Sequence, residues 1–85
     1  MIYLELSVRA KKEFGRLDKI SKNRVNRALD HIQEFLLPGK KLSGELSGYY
    51  SYKIPPLRVI YVFSAAERRL LVISVGYRGD IYKKL

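Results

Sequence analysis

The chain has 85 residues, room for one small core and too few for separate cofactor and substrate lobes. Seventeen Lys and Arg against eight Asp and Glu give a net charge of +9, which points to a polyanion such as nucleic acid as partner, while a 47% hydrophobic fraction with seven Tyr and three Phe excludes a disordered basic tail. The absence of Cys and the single His, His31, exclude disulfide frameworks, thiol nucleophiles and Cys/His zinc sites, so any chemistry falls to Lys, Arg, Tyr and carboxylates.

Ile2, Leu4 and Leu6 alternate with Tyr3 and Glu5, the period of a half-buried strand. This N-terminal stretch lacks the apolar core of a secretory signal, and no apolar run is long enough to span a bilayer, so a cytoplasmic protein without membrane contact is expected. Ser7 can cap a first helix, in which Ala10, Phe14 and Leu17 fall at i, i+4 and i+7. Ser21 can cap a second, in which Val25, Ala28, Leu29, Ile32, Phe35 and Leu36 form one apolar stripe that Pro38 and Gly39 end. The loop-rich stretch 38–48 carries no composition shift, so residues 1–85 read as one domain.

The second half changes period. Residues 49–54, 57–64 and 69–75 are rich in Tyr, Val, Ile and Leu, with Pro55-Pro56 and residues 65–68 as turns between them. The order β-α-α-β-β-β defines an α+β fold of two layers, with two N-terminal helices packed on a mostly antiparallel sheet. The other sheet face is then free for a ligand.

A turn centred on Pro55-Pro56 sets Lys53 opposite Arg58. Two prolines cannot both take the positive φ of the tightest hairpin turns, so a four-residue loop closed by Lys53 and Arg58 is expected. Like charges in facing positions repel, and either an anion such as a phosphate sits between them or both side chains splay into water. After the last strand come Arg78, Tyr82, Lys83 and Lys84, with Gly76 and Gly79 bracketing Arg78. Centring the last turn on Ala66 and Glu67 sets Arg58 opposite Val75. Arg78 then reaches the face of Lys53 and Arg58 only through a kink at Gly76; otherwise the tail is a solvated basic end. His31 falls at the margin of its helix's apolar stripe, a flank position. The helical cations Arg9, Lys11, Lys12, Arg16, Lys19, Lys22, Arg24 and Arg27 form a solvated face that would steer a polyanion, and the carboxylates show no metal-ligand spacing.

The stretch LSGELSGYYSYKI, the strand LRVIYVFS and the ending LLVISVGYRGDIYKKL, in the order β-α-α-β-β-β, together resemble the RelE/ParE superfamily of toxin-antitoxin toxins. The resemblance covers nearly the whole chain and is carried by L-x-G-x-x-x-G-Y-Y from Leu42 to Tyr50, R-V-I-Y from Arg58 to Tyr61, and V-G-Y-R with a following Tyr. It implies one of two activities: cutting messenger RNA in the ribosomal A site, as in the RelE branch, or poisoning DNA gyrase, as in the ParE branch. Lys53, Arg58, Arg78 and Tyr82 match the RelE branch's strand Lys, strand Arg, C-terminal Arg and C-terminal Tyr, which makes this chain closer to RelE; Lys83 and Lys84 would add to RNA binding. Pro55 departs from that pattern, standing where RelE has a second Lys, and the hairpin turn is shorter. The resemblance further implies a cognate antitoxin, with the ribosome and messenger RNA as other partners, and no cofactor or metal. Antitoxin could cover apolar sheet surface, or those residues could close the small core unaided.

Overall fold

The computed structural model describes residues 3–35, 40–41 and 48–77. The chain runs β1 (Tyr3–Leu6), α1 (Val8–Gly15), α2 (Lys19–Phe35), a two-residue β2 (Lys40–Lys41), β3 (Tyr50–Ile54), β4 (Leu57–Ser64) and β5 (Arg69–Tyr77). The strands lie in the order β1-β5-β4-β3-β2, with β1 parallel to β5 and every other pair antiparallel. Two helices packed on a mostly antiparallel sheet give the α+β architecture expected. The addition is β2, where Lys40 pairs with Ser51 and Lys41 with Tyr50 inside the stretch read as loop. Two residues are too few to show a period.

Ser7 begins α1 as expected, its hydroxyl oxygen accepting from the Ala10 N–H at 3.0 Å. The second helix starts two residues before Ser21, because Asp18 supplies the cap: the Ser21 N–H donates to Asp18 Oδ1 at 2.9 Å. The Ser21 hydroxyl and N–H together hold the exposed Asp18 carboxyl below its usual pKa. Along α2, Val25, Ala28, Leu29 and Ile32 are buried, as the stripe requires; the Phe35 side chain, Leu36, Pro38 and Gly39 lie outside the described residues.

The helical side chains Ala10, Val25, Leu29 and Ile32 meet Leu57, Val59 and Tyr61 of β4 and Leu70, Val72 and Val75 of β5, with Leu4 and Leu6 of β1 flanking them. Tyr50 stacks on its cross-strand partner Tyr61, ring centroids 5.5 Å apart. Where β1 ends, α1 takes over the rim of β5. Glu13 Oε1 accepts from the Ser74 hydroxyl at 2.7 Å and from the Val75 N–H at 3.1 Å, so a helix carboxylate occupies a donor that a further strand would otherwise use.

The β3–β4 hairpin is tighter than expected. Ile54 pairs with Leu57, leaving only Pro55 and Pro56 in the turn. The peptide between them is cis, and neither proline takes a positive φ. The strand β5 continues two residues past the expected end, through Gly76 to Tyr77. Its register against β4 also shifts: Tyr61 pairs with Val72 but Ile60 with Ser74, so Ile73 is an extra residue. Ser7 anchors this bulge, its hydroxyl donating to the Ile73 carbonyl at 2.8 Å while its N–H donates to the Val72 carbonyl at 2.9 Å.

Candidate functional site

The β3–β4 hairpin brings Lys53 and Arg58 into facing register, as turn arithmetic predicts. Across β4–β5 the bulge changes the outcome: Arg58 stands opposite Gly76, not Val75. Lys53, Arg58 and Gly76 therefore form one row across three strands, two cations followed by a position with no side chain. Gly76 keeps ordinary strand geometry, and a Cβ built on it meets none of the described atoms within 4 Å. The glycine is thus not the kink considered from sequence; it leaves space beside Arg58.

Lys53 is exposed and Arg58 half-buried. Arg58 Nη1 donates to Ser51 Oγ at a long 3.4 Å, which carries the guanidinium back along the sheet toward Ser51. The next row inward, Ser51, Ile60 and Ser74, is 4%, 0% and 0% exposed. The sheet face opposite the helices is therefore closed at its middle, in contrast to the expectation of a free face, and one of its accessible ends is the hairpin. There a shallow concavity of about 320 Å³ is lined by Lys53, Pro55, Pro56, Leu57 and Arg58. Its chemistry is that of an anion site: Arg58 offers a planar fork suited to two phosphate oxygens, and Lys53 a mobile point charge.

The helical cations divide. Arg24 Nη2 donates to the Pro55 carbonyl at 2.7 Å, Arg9 Nε lies 3.7 Å from Glu13 Oε2, and Lys22 Nζ sits 6.0 Å from the centre of the Phe14 ring. Lys11, Lys12, Arg16, Lys19 and Arg27 are exposed, as a solvated face requires. His31 is exposed on α2, its ring 5.7 Å from that of Tyr52. Among the described residues no group of three or more His, Asp and Glu comes together as metal ligands would. Arg78, Gly79, Tyr82, Lys83 and Lys84 lie outside the described residues.

Two features of the site escape sequence reasoning. The Arg58–Gly76 pairing depends on a bulge that strict alternation cannot anticipate. Arg24 reads as one more solvated cation, since nothing local marks a bond to a carbonyl 31 residues away.

A small α+β scaffold with a cationic hairpin and no metal-ligand cluster among its described residues defines the class. The family model for the ParE toxin of type II toxin-antitoxin systems of the parDE kind matches residues 4–82, so this chain belongs to that family and is the toxin of a type II toxin-antitoxin module. Among solved structures it is similar to the isolated Escherichia coli RelE toxin, at 25% identity and a TM-score of 0.79, covering 99% of this chain and 94% of that one. It is also similar to a chain of the RelBE2 toxin-antitoxin complex from Mycobacterium tuberculosis, at 22% identity and TM-score 0.80, covering 91% and 98%. A YoeB/ParE toxin from Agrobacterium tumefaciens shares the fold at 20% identity and TM-score 0.80, covering 91% and 99%. No curated protein matches the chain. No helix among the described residues is long and apolar enough to cross a membrane.

Proposed function

We propose that this toxin is a ribosome-dependent messenger RNA endonuclease that inhibits translation, acting in the cytoplasm as one domain over residues 1–85. The observation that carries the reading is the facing pair Lys53 and Arg58, with the gap at Gly76 beside it. RNA cleavage of this kind removes the 2′-OH proton, forms a bond from the 2′-oxygen to phosphorus, and breaks the bond to the 5′-oxygen, which takes up a proton. The products are a 2′,3′-cyclic phosphate and a 5′-hydroxyl. Arg58 holds the scissile phosphate and neutralises charge that grows on it. Lys53 acts as base or as electrostatic anchor beside Arg58. Arg78 stabilises charge at the leaving oxygen, Tyr82 stacks on an unpaired base, and Lys83 and Lys84 hold the strand. With few strong acid-base groups the enzyme depends on the ribosome to orient the RNA, a contribution worth about 7–11 kcal/mol.

A cognate antitoxin is the second partner. RelBE2 is a toxin-antitoxin complex, and a net charge of +9 favours an acidic antitoxin here. In a translating extract, the toxin should cut messenger RNA between codon positions, and Arg58→Ala should abolish the cuts; an extract left intact at every toxin level sinks the reading. The family match to ParE and the proline at position 55 favour one alternative, a non-catalytic inhibitor of DNA gyrase. It predicts trapped gyrase–DNA cleavage complexes on a plasmid, with translation spared.

A further inference from the structure

The turn that joins Lys53 to Arg58 is held from the opposite layer of the fold. Pro55 and Pro56 contribute no backbone N–H, so the tip of this hairpin has no main-chain donors of its own. It is also a place of mutual repulsion, because Lys53 and Arg58 face each other directly behind it. The donor comes from α2: Arg24 Nη2 reaches the Pro55 carbonyl at 2.7 Å, the distance of a strong, charge-assisted bond. Arg24 is anchored in turn, since its neighbour Val25 is fully buried in the core shared by helix and sheet.

We infer that Arg24 is a positioning residue, which fixes the tilt of the β3–β4 turn against α2 and thereby the spacing of the Lys53 ammonium and the Arg58 guanidinium. The inference rests on the reading of that pair as the phosphate site. Arg24 acts through the backbone of Pro55, which stands two residues after Lys53 and three before Arg58, so displacement at the carbonyl is passed to both cations. Its side chain emerges on the helical side of the sheet, whereas the pair stands on the other face.

The test compares Arg24→Ala, Arg24→Gln and Arg24→Lys with the wild-type protein by amide hydrogen exchange and by steady-state cleavage on programmed ribosomes. In Arg24→Ala, exchange at the Lys53, Ile54, Leu57 and Arg58 amides should rise about tenfold while Val72 in the core is unchanged, and kcat should fall about tenfold with KM within about twofold. Arg24→Lys, which keeps a cationic donor, should recover most of both effects, and Arg24→Gln less. Unchanged exchange at the turn overturns the inference whatever the cleavage rate. A loosened turn with full kcat overturns it too, as does a loss confined to KM, which would make Arg24 only a contributor to electrostatic attraction. If wild-type toxin makes no cuts, the endonuclease reading fails by itself; growth arrest on induction then replaces cleavage, and full arrest by a variant with a loosened turn overturns the role of Arg24.

Discussion

Arg58 faces Gly76 across β4 and β5, and one extra residue, Ile73, makes it so. Without the bulge the partner would be Val75, whose side chain belongs to the core. Filling the gap is therefore a direct test of the site. Gly76→Ala should keep the fold and gain about 0.4–1 kcal/mol through the unfolded state, because the position has ordinary strand geometry and open space among the described residues. Gly76→Leu should fold as well, yet lose activity about a hundredfold by displacing phosphate from Arg58. Thermal melting and cleavage on the same samples separate the two effects, and a fully active Gly76→Leu would remove the row from the site.

Lys53 is the second test, since function and stability should move in opposite directions there. Lys53→Gln removes a like charge facing Arg58, so the hairpin should gain a few tenths of a kcal/mol, about 0.2 at least and 1 at most, shrinking with added salt. Activity should fall at every salt concentration. A variant that is less stable and equally active would show the pair to be neither strained nor functional.

Ser7 joins the start of α1 to the bulge. Ser7→Ala loses a cap and the bond to the Ile73 carbonyl together, which should cost about 1–3 kcal/mol in urea unfolding. If the bulge sets the parity of the site, the variant should also lose activity under conditions where it is fully folded. Ser7→Thr, which keeps the hydroxyl, should recover both.

The Asp18 cap gives a pH dependence with a defined sign. Its carboxyl is held below its usual value in the folded chain by the Ser21 hydroxyl and N–H. Wild type should therefore be more stable than Asp18→Ala above about pH 4, the unfolded-state value, and the difference should vanish as pH falls through the lower folded value. The measurement is the gap between the two melting temperatures from pH 7 to pH 2. A gap that stays constant across that range would show that the carboxylate is not the cap.

How much of this was legible in the sequence follows from what each feature depends on. Element order, the stripe Val25, Ala28, Leu29 and Ile32, and the facing of Lys53 and Arg58 follow from local periods and from one short turn. Ser21 reads as the cap of α2, whereas in the fold Asp18 accepts from the Ser21 N–H; a carboxylate three residues earlier caps as well as a hydroxyl. Strict alternation misplaces the register of β5 because a bulge shifts parity without leaving a mark in it, and its anchor, Ser7, lies 66 residues away. Arg24 was unreadable for the same reason: its partner is a backbone carbonyl, which has no side-chain identity to match. The motif residues at the C-terminus were recognised by resemblance alone.

The parallel pairing of β1 with β5 has a consequence for how the toxin comes into being. Among the described residues, Tyr3 and Leu6 find their strand partners at Arg69 and Val72, far along the chain. During translation β1 must wait, with Leu4 and Leu6 uncovered, until β5 has left the ribosome. The Lys53–Arg58 hairpin is local and can close early, but the layer that holds it is completed last. A nascent chain thus carries the cationic pair before it carries the sheet that completes its scaffold.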